Sequence, residues 1–332
     1  MQNRKIVLAA RPDGFPQDSD FECIQCPIEV LAADEFLVQA KFLSVDPYMR
    51  GRMSDAPSYA DPVEIGQVMV GESVGQIVQS RNKKFPEGSY VSGMFGWQEF
   101  AISKARGVRR IDPQVAPIST ALHVLGMPGL TAYFGLKDVG RAQAGETVVV
   151  TGAAGAVGSV VGQLAKIQGC RAVGIAGSNE KLEYMTDELG FDAGFNYKQT
   201  SEYSRAVKEL CPDGVDVFFD NVGGPISDGV FTRLNVGARV AICGQISQYN
   251  AQKHPTGPRL FGQLIVKRAT VKGFLVLDYF DRFREALQEL TEWHQAGKLI
   301  CRERMTQGIE NAPRAFMEMM QGANIGKQLV KI

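Results

Sequence analysis

Neither sign of charge prevails in this sequence: 36 lysines and arginines stand against 36 aspartates and glutamates. That balance provides no field to draw a nucleic acid or an acidic membrane, so neither is expected as a partner. Long apolar runs are also missing. No segment reaches the ~18 residues of a membrane span, and the apolar run in the N-terminal MQNRKIVLAARPDG is too short for a signal peptide. Histidine is scarce: His123, His254 and His294 are far apart and sit in unrelated contexts, so no imidazole metal site is expected. His123 reads as a helix-face residue ahead of Gly126. The six cysteines are scattered, which fits reduced thiols in a cytoplasmic protein better than a disulfide framework. Cys23 and Cys26 have the CxxC spacing, but no second ligand pair follows for zinc. Pro27 comes next, with no helical pattern behind it, so the pairing reads as incidental.

What is present is organised around Glu146–Gly169, ETVVVTGAAGAVGSVVGQLAKIQG. The β-branched run Thr147–Thr151 has the composition of a strand buried on both faces of a parallel sheet. Gly152, Gly155 and Gly158 then make a tight turn, and Val160, Val161, Leu164, Ala165 and Ile167 fall on one helical face that stops at Gly169. Strand, glycine turn and helix in that order form a phosphate cradle. The glycines admit a pyrophosphate to the backbone, and the helix N–H groups and dipole favour its charge. The spacing here is GxxGxxG rather than GxGxxG.

A chain of 332 residues exceeds one ordinary core, so two domains are expected. Before about residue 110 the pattern is β: Phe36–Ala40, Met69–Val78 and Tyr90–Met94 are short strand-like runs between Pro and Gly turns, and Asp55–Glu64 reads as a mobile surface loop. Ser119 opens a helical pattern, and Gly126–Tyr133 leads into another helix. After Gly169, strands at Arg171–Ala176, Gly194–Tyr197, Val215–Asp220, Arg239–Cys243 and Thr270–Leu277 alternate with helices at Glu180–Leu189, Tyr203–Leu210 and Ile226–Leu234. Such alternation predicts a doubly wound parallel sheet. An amphipathic helix follows at Asp281–Gly297, then strand-like sequence from Leu299 and a last helix at Ala312–Gln321. The tail is expected to rejoin the first domain. The expected division is thus a discontinuous catalytic domain, residues 1–125 with 301–332, around a nucleotide-binding domain at 126–300.

In dinucleotide folds an acid about 20 residues past the glycines binds the adenosine ribose. Here that place reads Ala176-Gly177-Ser178-Asn179, with no acid until Glu180. The missing carboxylate removes repulsion against a 2′-phosphate. Ser178 can hydrogen-bond that phosphate and Lys181 can neutralise it, so the expected cofactor is NADP(H).

Taken together, the chain resembles the zinc-independent medium-chain dehydrogenase/reductases, most of all the leukotriene/prostaglandin reductase group with its plant double-bond reductases and bacterial curcumin reductases. The motifs that carry the resemblance span the chain: SVDPYMR at Ser44–Arg50, Gly126–Tyr133, Gly152–Ser159, Ala176–Lys181, FNYK at Phe195–Lys198, DNVGG at Asp220–Gly224, CGQISQYN at Cys243–Asn250, GFLV at Gly273–Val276 and NIGK at Asn324–Lys327. The superfamily's zinc alcohol dehydrogenases carry a cysteine ligand in the first of these places and a Gly-His-Glu in the Met69–Gly75 region. This chain has Val45-Asp46-Pro47 and Val70-Gly71-Glu72 instead, and no four-cysteine lobe. No metal is therefore expected, and alcohol oxidation loses its usual Lewis acid.

The resemblance implies a GroES-like catalytic domain beside a Rossmann domain, and it assigns roles. Lys181 and Tyr197, with Ser178, would grip the 2′-phosphate. Ala154, Gly155, Ala156, Val157 and Gly158 would lie along the pyrophosphate, and Asn221 near the riboses. Phe274, Leu275 and Val276 would hold the carboxamide through backbone, and Asn324 would reach the nicotinamide-side phosphate. Tyr249 would hydrogen-bond the nicotinamide ribose 2′-OH, while Tyr48, Met127 and Pro128 would line the substrate side. The implied reaction is NADPH-dependent reduction of the C=C bond of an α,β-unsaturated ketone or aldehyde, with Tyr249 and Tyr48 supplying the catalytic donors. The alternatives are an NADPH:quinone reductase of the same superfamily and a non-catalytic NADPH-binding protein. A homodimer through the apolar Thr270–Leu277 strand is also expected.

Overall fold

The structure, a computed structural model, describes residues 2–332. It divides into two compact units: Met1–Leu122 with Glu303–Ile332, and His123–Arg302.

The first unit begins with an antiparallel pair, β1 (Gln2–Leu8) and β2 (Phe21–Pro27). It continues through β3 (Phe36–Ser44), the short helix α1 (Tyr48–Arg52), β4 (Ser73–Ser80), β5 (Tyr90–Gly93), β6 (Phe100–Ser103) and β7 (Arg109–Ile111).

In the second unit, α2 (Met127–Phe134) and a continuing π-helical stretch (Gly135–Gly140) precede β8 (Thr147–Thr151). Then come α3 (Gly158–Ile167), β9 (Arg171–Ala176), α4 (Asn179–Glu183), β10 (Ala193–Asn196), α5 (Tyr203–Leu210), β11 (Val215–Asp220), α6 (Gly224–Phe231), β12 (Leu234–Ile242), α7 (Phe261–Lys267), β13 (Thr270–Gly273) and α8 (Phe283–Gln295). The chain then returns to the first unit with β14 (Glu303–Gln307), α9 (Ala312–Met320) and β15 (Lys327–Lys331).

The first unit's large sheet runs β14-β15-β3-β4-β5-β7, with β6 on β3; only the β14–β15 pair is parallel. Its core gathers around Trp97, which stacks on Phe21 at 5.7 Å and meets Phe316 edge-on at 5.9 Å. Phe316 lies on α9, so the returning tail completes this core rather than decorating it.

In the second unit the sheet is all parallel, in the order β10-β9-β8-β11-β12-β13. All five residues of β8 are buried, as its β-branched composition requires at the centre of a sheet covered on both faces. The chain leaves β8 toward β9 on one side and later returns to β11 on the other. The order therefore reverses between β8 and β11, where ligands bind in open α/β sheets.

Several boundaries depart from the sequence expectation. The pair β1–β2 lies outside the sequence expectation: β1 carries its buried apolar residues as a run, Ile6–Leu8, rather than in alternation, and β2 is mostly exposed. Met69–Glu72 lies ahead of β4, which extends to Ser80. The helical pattern expected from Ser119 is only a 3₁₀ segment, Ile118–Leu122. The helix expected to reach Leu234 ends at Phe231, and Leu234 opens β12. The strand expected over Thr270–Leu277 stops at Gly273. Phe274 turns its ring onto Phe219 of β11 at 6.1 Å, which takes the chain off the sheet edge into a 3₁₀ segment, Val276–Arg282. No helix among the described residues is long and apolar enough to cross a membrane.

Candidate active site

The site is built from the carboxyl ends of the parallel strands. After β8 the turn Gly152–Val157 leads into α3, whose N-cap, Val157, supplies no side-chain hydrogen bond. The helix N-terminus is thus left for a ligand to cap. Gly155 N–H donates to Gly152 O at 2.9 Å and Ser159 N–H to Gly155 O at 3.0 Å, so the turn holds itself. At Gly158 a Cβ would stand 2.4 Å from Gly152 O, so only glycine lets the turn close. Ala154 is buried beneath it.

One strand over, β9 ends at Ala176. Ser178 caps α4, its hydroxyl accepting from Lys181 N–H at 3.3 Å. Tyr197 follows β10, and its ring and hydroxyl pack about 3.0 Å from where a Gly177 Cβ would be. The β9–β10 register, Ala176 beside Asn196, is what brings Tyr197 back to this turn. Ser178 and Lys181, three residues apart, and Tyr197, sixteen residues further on, thus come to one strand end, where the stretch Ala176–Asn179 holds no carboxylate. A phosphomonoester suits this donor set.

At the switch point itself, Asp220 ends β11 and is 1% exposed. Its carboxylate accepts from Thr151 Oγ1 at 2.7 Å, Val222 N–H and Gly223 N–H at 3.0 Å each, and Ser227 Oγ at 2.7 Å. Four donors make the buried charge tolerable, and they fix the DNVGG turn against the end of β8. Asn221 continues the latch: its backbone N–H donates to Thr151 Oγ1 at 2.9 Å and its side-chain amide to Thr151 O at 2.7 Å.

The next loop is fastened to this turn. Cys243 N–H reaches Asp220 O at 2.8 Å, and Ser247 N–H reaches Val222 O at 3.1 Å. This loop carries Tyr249, whose hydroxyl accepts from Gln245 N–H at 3.2 Å. Burial, then the charge of Asp220, pushes the Cys243 thiol up to about 12, so it is no nucleophile at neutral pH. Met127 and the buried Pro128 begin α2, and Phe274, Leu275 and Val276 follow β13.

Two of the expected site residues belong to the first unit. Tyr48 opens α1 and packs on the core around Trp97. Burial, then the negative charges of Asp46 and Glu72, hold its phenol well above the usual tyrosine range. It therefore stays an O–H donor. Asn324 is buried and donates to Gly326 O at 2.7 Å. Glu72 is lifted to about 7 by burial and then by Asp46, against the opposing pull of Arg109 and Lys327 and a hydrogen bond from Ser92.

Comparison with known proteins places this geometry. Residues 4–111 match the family described as the N-terminal domain of oxidoreductase, and residues 156–292 the one described as zinc-binding dehydrogenase. The NADPH-dependent curcumin reductase of Escherichia coli is 40% identical, covering 100% of this chain and 97% of its own. The NADP(+)-dependent 2-alkenal reductase of Nicotiana tabacum is 39% identical over 100% of this chain and 98% of its own. The crystal structure of CurA in complex with NADPH from Vibrio vulnificus superposes with a TM-score of 0.95 at 45% identity, covering 99% of this chain and 98% of that one. The chain belongs to the zinc-independent medium-chain dehydrogenase/reductases.

Within that family the word zinc in one description does not extend to this chain's side chains. Val45-Asp46-Pro47 stands in the cysteine region, and Gly71 at the middle of Val70-Gly71-Glu72 where the histidine would be. A Cβ on Gly71 would lie 2.8 Å from the Trp97 ring and 3.0 Å from Leu43, so the packing has closed over the space an imidazole needs.

Sequence reasoning missed two supports of the site. His123 lies on no helix face: it is fully buried, and its Nε2–H donates to Ala156 O at 3.1 Å, bracing the glycine turn from beneath. Asp220 entered only as the first letter of a motif, and its four bonds emerge only from the fold. Cys23 and Cys26 lie on β2, where a spacing of three puts them on opposite faces. Both remain free thiols.

Proposed function

We propose that this protein reduces the C=C bond of α,β-unsaturated ketones and aldehydes at the expense of NADPH. It is an NADP-dependent oxidoreductase of the double-bond reductase kind. The observation that carries the cofactor reading is the turn after β9, where Ala176–Asn179 holds no carboxylate, Ser178 caps α4 ahead of Lys181, and Tyr197 packs against Gly177. Lys181 and Tyr197 take the 2′-phosphate, and the backbone from Ala154 to Gly158 with the uncapped N-terminus of α3 takes the pyrophosphate. Asn221 lies by the riboses, Phe274 to Val276 hold the carboxamide, and Asn324 reaches the nicotinamide-side phosphate. Residues 126–300 form the NADP-binding domain in this reading, and 1–125 with 301–332 the catalytic one. When bound, NADPH supplies the hydride that adds to the substrate's β-carbon.

The protein's task is to meet the charge that then develops on the carbonyl oxygen. Donors fixed beforehand do this best, because they need no reorganisation during the reaction. Tyr249, held on its loop by the Asp220 turn, positions the ribose 2′-hydroxyl as one donor. Tyr48 is the second; its raised phenol pKa keeps it protonated, so it stabilises the enolate by hydrogen bonding. A solvent proton at the α-carbon completes the product. Met127 and Pro128 line the substrate side.

Side-by-side steady-state assays with an enone and a quinone test the substrate class. The enone is expected to be turned over faster; a quinone rate higher by orders of magnitude would make this a quinone reductase. Turnover of neither would leave an NADPH-binding protein.

A second copy of the chain is the further partner we propose. β13 is the open edge of the parallel sheet, and all four of its residues are exposed. Leu277 and Phe280 just beyond are 57% and 67% exposed. An unpaired edge beside exposed apolar side chains favours pairing with its own equivalent. Sedimentation should report a dimer that Leu277→Asp converts to monomer; a monomeric parent protein would refute the interface.

A further inference from the structure

Lys327 holds an ammonium group that is 1% exposed. A cation so placed must be fully paired to be tolerated, and removing one partner leaves the other uncompensated. Its Nζ donates to Val45 O at 2.9 Å and to Asp46 Oδ1 at 2.7 Å. Both acceptors stand directly ahead of α1, the five-residue helix that starts with Tyr48. Such a short helix has little stability of its own and takes its place from what grips its ends.

The grips can be traced. Asp46 also accepts from the Ser44 hydroxyl, and its carbonyl receives Met49 N–H at 3.1 Å. On the far side of Tyr48 the buried Arg50 donates to Gly14 O at 2.9 Å. Arg50 thus ties α1 to the loop at residue 14, while Lys327 ties the approach to α1 to β15, which joins β3 across the sheet. Val45 and Asp46 belong to the segment where the zinc enzymes carry their cysteine ligand, and a side-chain cation now sits against it.

We propose that Lys327 is the positioning residue for Tyr48, holding Asp46 and the Val45 carbonyl so that α1 presents the phenol to the substrate oxygen. The inference rests on the reading above in which Tyr48 donates to the enolate. The surrounding charges agree with it. Asp46, Glu72, Tyr59 and Arg52 act on Tyr48, and Arg109, Asp46, Lys327 and Ser92 act on Glu72. Lys327 is thus one of three cations, with Arg52 and Arg109, set around the carboxylates of Asp46 and Glu72. Its loss would leave Asp46 without its cation and free to move beside the phenol.

A double-mutant cycle tests this, because a merely structural lysine would not care whether Tyr48 has its hydroxyl. Lys327→Met should lower kcat/KM for an enone about 10- to 100-fold, the scale of a lost charge-assisted hydrogen bond. The dissociation constant for NADPH, read by fluorescence titration, should stay within about twofold, since no charged contact to the cofactor is removed. In a Tyr48→Phe background the same replacement should cost almost nothing further.

An equal loss in both backgrounds, or a parallel loss of NADPH affinity, would overturn the proposal. Should Lys327→Met fail to fold, Asp46→Asn breaks the same pair from its other end and must show the same non-additivity. A Tyr48→Phe enzyme as fast as the parent would instead remove the premise that Tyr48 acts on the enolate. That result differs from a slow Tyr48→Phe enzyme with additive Lys327→Met, which would sink only the positioning role.

Discussion

Replacing Lys181 with alanine is expected to raise KM for NADPH about 10- to 150-fold and to leave KM for NADH nearly unchanged. The magnitude is that of one hydrogen bond to a charged group, roughly 1.5–3 kcal/mol. The selectivity follows from place. Lys181 stands three residues beyond Ser178 on α4, at the end of β9, away from the glycine turn that would hold the pyrophosphate common to both cofactors. Ser178 spends part of its hydroxyl on capping α4, so it cannot replace the lost charge. Initial rates with each cofactor, parent against variant, give the answer. An equal effect on NADPH and NADH would mean that Lys181 supports the domain rather than the 2′-phosphate.

Tyr249→Phe is expected to lower kcat about 100-fold, because the ribose 2′-hydroxyl loses the group proposed to hold it in place as a preorganised donor to the developing oxyanion. NADPH affinity should change little, because the glycine turn proposed to hold the pyrophosphate is untouched. The phenylalanine keeps the ring on its loop and removes only the hydroxyl that accepts from Gln245 N–H at 3.2 Å. Single-turnover kinetics at saturating cofactor separates the two quantities. A variant that reacts at the parent rate would make Tyr249 a packing residue.

How much of this was legible before folding depended on whether the signal was local. Thr147–Ile167 announced itself: a β-branched run, a glycine turn and a 3.6-residue period are all carried by neighbouring residues, and β8 and α3 lie there. The place of Ser178 and Lys181 followed from counting on to the next strand. Tyr197 came only with the family resemblance, since its return to Gly177 depends on the β9–β10 register.

Where the cause is distant, the sequence was silent. Nothing near His123 says that its ring will brace Ala156, and nothing in NIGK says that its lysine will be buried against Asp46, 281 residues away. The edge strand was overextended to Leu277 because apolar residues continue past Gly273. What ends it is Phe274 turning to Phe219, a tertiary contact that overrides local strand propensity.

The central claim concerns which carbon receives the hydride, and position-specific labelling answers it. An enone should be incubated with NADPH deuterated at nicotinamide C4 and the product read by NMR. The account predicts a saturated ketone with deuterium on the former β-carbon. Deuterium on the carbonyl carbon of an allylic alcohol, or no transfer to the enone, would contradict it.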